Sequence, residues 1–122
     1  MEINSIKLVE DLTKKSDQKQ ANNITVLDIQ GISVIADYFM IMDVRNTRMM
    51  DALVKDLTEE AEKDGYPVKR IEGKEVSEWV LLDFGDVVVH IFTPEKREFY
   101  NLDRLWIEAN KVDVNQWLDI NV

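Results

Sequence analysis

Chemistry needs particular side chains, and this chain offers few. His90 is the sole histidine and there is no cysteine. Disulfides, zinc–thiolate centres, cysteine-ligated clusters and thiol catalysis are therefore excluded. A Ser–His–Asp relay or a histidine metal site needs several well-placed partners, and one histidine inside a strand supplies a single ligand; it reads more simply as a hydrogen-bonded strand residue. With 4 glycines there is no G-x-x-x-x-G-K or G-x-G-x-x-G phosphate loop. Carboxylates are abundant, so a Mg²⁺ pair can always be drawn, but each candidate has a plainer reading. Asp83 and Asp86 flank a turn, where Asp86 is a turn former, and Asp37 and Asp43 bracket a strand as solvated punctuation. No catalytic residue, metal or cofactor is expected, and the sequence reads as a binding protein rather than an enzyme.

The elements that must carry such a surface fit in one domain of 122 residues, of which 45% are hydrophobic, enough for an ordinary core without staples. The net charge is −9 and the Lys and Arg residues come in short pairs such as Lys14-Lys15 and Lys96-Arg97. Nucleic-acid binding draws its affinity from clustered cations, so direct DNA binding is disfavoured; a basic protein suits the charge better, and solubility alone would also account for it. The start of the chain has an early acid and no apolar core of a signal peptide, and no apolar stretch is long enough to span a membrane. A cytoplasmic location is expected.

Hydrophobic spacing predicts a helix from Ser5 to about Gln20 with Leu8, Val9 and Leu12 on one stripe and Asn4 or Ser5 as N-cap. Strands follow at Ile24–Ile29 and Asp37–Asp43. Asn46-Thr47 opens a second helix carrying Met50, Leu53, Val54, Leu57 and Ala61 on one face, with Gly65 at its C′ position and Pro67 as a stop. A short strand over Val68–Ile71 completes a strand–helix–strand unit whose crossover of about twenty residues suggests parallel pairing. Pro94 then suits the first turn of a helix with Thr93 as N-cap, and Asn101 can cap another turn bearing Leu102, Leu105, Trp106 and Ala109. From Val112 on there is no clear period, and the tail either packs back or frays.

The hairpin between them is the most informative segment. Gly85-Asp86, as a two-residue turn, pairs Asp83 with Val88, Leu81 with His90 and Trp79 with Phe92. Val80, Leu82, Val87, Val89 and Ile91 then share an apolar face, with Phe84 at its end. The opposite face mixes Trp79, Leu81, Val88 and Phe92 with Asp83 and His90; it is either a second, more polar core layer or an exposed binding surface. A turn one residue longer would mix the two sets.

The run Trp79 to Phe92, read as WVLLDFGDVVVHIF, resembles the signature of the ribosome silencing factor family, also called the RsfS/Iojap family. So do Arg97, Phe99-Tyr100 and the closing segment Leu102-Asp103-Arg104-Leu105-Trp106. Ala36-Asp37-Tyr38-Phe39 matches the family's Ala-Asp-Tyr-Phe strand, and Gly73 before Trp79 matches its Glu-Gly…Trp spacing. The resemblance covers about residues 5 to 110, leaving 111–122 as an extension. Two departures stand out: Met49 after the retained Arg48, where the family has Gln, and Asp103 where Glu is usual.

That resemblance implies an α/β (α+β) single domain, similar to nucleotidyltransferases but without their Gly-Ser and Asp-x-Asp motifs, with a mixed sheet of about five strands flanked by helices. It implies binding to the large ribosomal subunit through its ribosomal protein number fourteen, a steric block to subunit joining, and repressed translation under nutrient limitation. Organellar relatives act in large-subunit assembly, so an assembly role is the alternative, and a divergent nucleotidyltransferase a more distant one. Candidate contact residues are Trp79, Asp83, His90, Phe92, Arg97 and Tyr100. Each also has a structural reading: Trp79 and Phe92 can pack together under the last helix, Leu105 and Trp106 lean towards core, and Arg97 and Tyr100 can hold that helix in place. A homodimer of the free protein is plausible, since an aromatic face without its partner invites self-association.

Overall fold

A computed structural model describes residues 4–73, 78–105 and 107–118. Six strands form one sheet: β1 (Asn22–Asp28), β2 (Tyr38–Asp43), β3 (Arg70–Glu72), β4 (Trp79–Asp83), β5 (Val87–Phe92) and β6 (Asn110–Val112). Their order is β3-β4-β5-β2-β1-β6. β2 and β5 run parallel, while the other pairings are antiparallel. The helices are α1 (Ser5–Gln18), α2 (Thr47–Lys63), α3 (Pro94–Tyr100) and α4 (Leu102–Leu105).

Composition explains the sheet's centre. Every residue of β2 and β5 is buried, as near-continuous apolar runs must be when both faces are covered. β3, with Arg70 and Glu72 exposed, suits an edge. This corrects the expected parallel pairing across the α2 crossover. β2 and β3 point the same way, but the hairpin β4–β5 lies between them, because β5 is apolar enough on both faces to take the central slot. The mixed sheet of about five strands is as expected, with six strands in all. Val26, Leu27 and Asp28 of β1 pair with Val112, Lys111 and Asn110 of β6, and three residues with two polar side chains leave no alternation to read.

The ends of α1 and α2 follow their sequence signals, while Thr93 precedes α3 without a side-chain capping bond. Asn4 caps α1 by accepting from the Lys7 amide, and Asn46 caps α2 by accepting from the Met49 amide. Gly65, at φ +85°, closes α2 in a Schellman arrangement: the Tyr66 amide donates to the Ala61 carbonyl (2.8 Å) and the Gly65 amide to Glu62 (3.0 Å).

The sheet's two faces are packed differently. On one, Leu8, Val9 and Leu12 of α1 and Met50, Leu53, Leu57 and Ala61 of α2 meet Val26, Met40, Met42, Val80, Leu82, Val89 and Ile91, with Phe84 among them. The other has a smaller layer of Leu27, Ile29, Phe39, Ile41, Val88 and Phe92, against which Ala109, Leu102, Trp79 and Leu81 pack. The two-residue turn has the expected register, with Trp79 opposite Phe92, Leu81 opposite His90 and Asp83 opposite Val88. It closes with the Phe84 amide donating to the Val87 carbonyl at 2.9 Å. Gly85 sits at φ +95°, a left-handed backbone conformation that favours glycine. Of the tail beyond β6, Val114 and Trp117 pack against the helix-side core, and residues 119–122 lie outside the described residues.

Candidate functional site: an aromatic ledge at the edge of the second sheet face

β4 sets the geometry, because its residues alternate between faces. Val80 and Leu82 are buried under the helices, while Trp79, Leu81 and Asp83 are half-buried on the other side. Pro94 starts α3 directly after β5, with the Thr93 hydroxyl donating to Glu78 Oε1 (3.3 Å). α3 thus brings Tyr100 beside Trp79. The Trp79 ring stacks on Phe92 at 5.2 Å and tilts against Tyr100 at 4.5 Å. Tyr100 in turn meets Phe99 edge-on at 5.1 Å. Trp79 is half-buried, while Tyr100 is 42% and Phe99 75% exposed. Together they form a ledge of aromatic surface, the residue class that anchors protein interfaces by burying a large area.

Beneath this ledge Phe92 is fully buried and His90 is 5% exposed. Trp79 Nε1–H donates to His90 Nδ1 at 3.1 Å, and the imidazole meets Phe39 edge-on at 5.2 Å. Burial pushes the His90 pKa down to about 4, so the ring is neutral at pH 7. Since Nδ1 accepts, the proton sits on Nε2, which has no hydrogen-bond partner among the described residues. The expected hydrogen-bonded strand histidine is what the structure contains.

Arg97 points elsewhere. Its side chain, 13% exposed, reaches Asp43 Oδ2 (3.1 Å) and Asp103 Oδ1 (3.1 Å), and its guanidinium also donates to Asp103 Oδ2, Thr25 Oγ1 and the Asn23 carbonyl. It ties α3 and α4 to the ends of β1 and β2. Asp43, expected as solvated punctuation, is corrected here: it is 3% exposed and receives Arg97 together with Asn23 Nδ2 (3.2 Å). A strand-end acid looks solvated until a distant cation arrives to pair with it. Its counterpart Asp37 is half-buried and accepts from the Ser5 hydroxyl at 3.1 Å.

Asp83 shares its face with Trp79 but lies four residues along the strand, about 13 Å away. There its carboxylate accepts from the Gly85 amide at 2.8 Å, a turn-fixing contact. The structure therefore gathers Trp79, His90, Phe92 and Tyr100, and sets Asp83 and Arg97 apart. The Leu105 side chain and Trp106 lie outside the described residues. Sequence reasoning missed the Thr25–Asp43–Asp103 cradle of Arg97. It also missed the exposed aliphatic tip of the β1–β2 loop, where Ile32 is 49%, Val34 104% and Ile35 68% exposed.

Between the helices, Asp11, Glu60 and Asp64 place carboxylate oxygens within 4.8 Å of one another. Lys7 pairs with Asp11 (3.3 Å) and Lys15 with Glu60 (3.7 Å). Burial, followed by a hydrogen bond and repulsion from Asp11, pushes Asp64 up to about 7. Among the described residues no helix is long and apolar enough to cross a membrane.

Residues 2–121 match the family described as "Ribosomal silencing factor during starvation". The chain is 40% identical to the ribosomal silencing factor RsfS of Bacillus subtilis over 81% of its own length and 84% of that protein's. It is 35% identical, over 73% of its length and 40% of the relative's, to the Mus musculus protein named mitochondrial assembly of ribosomal large subunit protein 1. A crystal structure of a Bacillus halodurans protein, 35% identical, superposes with a TM-score of 0.78 over 89% of this chain and 99% of that one. The sequence signature, the mixed sheet and these likenesses agree: the chain belongs to the ribosomal silencing factor family.

Proposed function

We propose that this protein binds the large ribosomal subunit through the aromatic ledge on the sheet face away from α1 and α2, touching ribosomal protein number fourteen, and blocks subunit joining by occupancy. Translation would then fall under nutrient limitation, as the family's description by starvation suggests. The observation that carries this reading is the ledge of Trp79, Tyr100 and Phe99, left uncovered by α1 and α2 and backed by a rigid layer of buried rings. Occupancy needs affinity and bulk, not reacting groups, so catalysis has no part in it. A net charge of −9 favours encounter with basic ribosomal protein. A cytoplasmic site of action belongs to the same reading and draws support from the bacterial relative matched over most of its length.

Within this reading Trp79 and Tyr100 touch the partner, and Asp83 borders the same face at its turn end. His90, Phe92 and Arg97 act from beneath or beside it, because their burial leaves little to touch. A second reading, assembly of the large subunit, draws support from the name of the mouse relative and uses the same contact. Deletion of the gene separates the two. Immature large subunits accumulate if the role is assembly; faster joining of mature subunits during starvation is the outcome expected for silencing. Self-association through the ledge when the partner is absent follows from the same exposed rings. Equilibrium sedimentation of the free protein tests it, and a concentration-independent monomer would end that idea.

A further inference from the structure

We propose that His90 is a positioning residue: as a neutral acceptor it fixes the Trp79 indole so that the ring presents its carbon surface, not its N–H, to a partner. This rests on the reading of Trp79 as a contact residue.

Three observations lead there. First, Trp79 Nε1–H donates to His90 Nδ1 at 3.1 Å. An indole has one polar group and it is a donor; turned inward to the imidazole, it leaves the outward rim apolar. Second, His90 cannot easily move. It is 5% exposed, edge-on to Phe39 at 5.2 Å and parallel to Phe92 at 6.2 Å, and held in register between Ile41 and Leu81. Third, the described rings around it carry no charge, so nothing there favours imidazolium. A protonated ring would place N–H against N–H and break the arrangement, and burial holds the group neutral.

Orientation matters because an indole can turn about its side-chain torsions, whose wells are broad. Stacking on Phe92 and Tyr100 fixes the plane more than the edge. The acceptor at His90 selects the edge. Ordering the ledge before the partner arrives lowers the cost of binding.

The wild-type protein supplies the first test. Imidazole nitrogen NMR at pH 6 should show a neutral ring with its proton on Nε2; a proton on Nδ1 would overturn the proposal. In the second test, the indole N–H resonance of Trp79 is identified by its loss in W79F. It should shift and exchange at least about tenfold faster in H90F, where the acceptor is gone. H90N, whose amide oxygen can stand near the Nδ1 position, should restore most of the protection. Affinity for purified large subunits should fall about tenfold in H90F, the equivalent of one hydrogen bond, and recover in H90N. In a W79F background H90F should cost no further affinity. An unchanged indole resonance in H90F contradicts the proposal, and so does equal loss of affinity in H90F with and without Trp79. If W79A binds large subunits normally while H90F still frees the indole, the geometry stands and the contact reading falls.

Discussion

The two faces of this sheet are covered differently, one by aliphatic packing under two long helices and the other by a smaller ring-rich layer that ends in a half-exposed aromatic edge. The helix side is aliphatic, covered by two long amphipathic helices, with Leu8, Leu12, Met40, Met42, Leu57 and Val89 at 0% exposure. Across the sheet the layer is smaller, built on rings, and thins towards β4, where Trp79 and Leu81 are half-buried. A face that only had to support folding would bury such rings fully. Aromatic side chains kept at a rigid edge suit recognition, because little of their freedom remains to be lost on binding. Fixed polar contacts supply the rigidity: His90 behind Trp79, and Arg97 with Asp43 and Asp103 beside α3.

The comparison is broken most forcefully by removing support from each face. Arg97→Ala strands the buried Asp43 carboxylate and should cost about 3–5 kcal/mol of folding stability. Phe84→Ala, on the helix side, should cost a similar amount, about 3–5 kcal/mol, through its cavity. Denaturant unfolding measures both. The sharper contrast is in binding at a temperature where each variant remains folded. Affinity for large subunits should fall in Arg97→Ala, which loosens α3 and Tyr100, and hold in Phe84→Ala. Equal binding losses would erase the distinction between the faces.

Next in size is the ledge itself. Trp79→Ala should weaken large-subunit binding by about 2 kcal/mol or more, with a smaller loss of stability than Phe92→Ala, since Phe92 is fully buried and Trp79 is not. Thermal unfolding beside a binding titration reads both. A variant of Trp79 that unfolds as readily as one of Phe92, yet binds normally while folded, would make Trp79 a core residue.

A further contrast is in pH, and it has opposite signs on the two faces. His90 has its pKa lowered from 6.5 to about 4, so the unfolded chain binds the extra proton first. Its contribution is present above pH 6.5 and is lost as pH falls towards 4. Asp64 is raised from 3.8 to about 7. The folded chain keeps that proton longer, so its contribution is present below pH 3.8 and is lost as pH rises through 7. Asp11, Glu60 and Lys7 are the charged groups around it. Melting temperatures from pH 4 to 8 should show a shallower acid limb in H90N and a shallower decline towards neutral pH in Asp64→Asn. Parallel curves for wild type and both variants would refute these assignments.

Much of this was legible in the sequence, for physical reasons that differ by element. α2 announces itself through Asn46, an apolar stripe and Gly65. The hairpin register follows from Gly85-Asp86 because only one turn length keeps Val80, Leu82, Val87, Val89 and Ile91 on a single face. These signals are local. Placement of β5 beside β2 is not, and neither is the six-strand order, in which β3 and β6 are three-residue strands too short to show a period. The ledge was half-legible. Alternation separated Trp79 from the core face, but it could not tell whether α3 would cover the ring or stand beside it. Arg97 was singled out by family resemblance, while its partner Asp43, 54 positions away, reads as an ordinary solvated strand end.

The aromatic ledge of Trp79, Tyr100 and Phe99 is the proposed hold on the large subunit. Purified protein, wild type and Trp79→Ala, would be sedimented with isolated small subunits, isolated large subunits and assembled ribosomes at physiological salt. Wild type should pellet with large subunits alone, and Trp79→Ala should remain in the supernatant. Wild type failing to pellet with large subunits, or Trp79→Ala pelleting with them as well as wild type, would contradict the account.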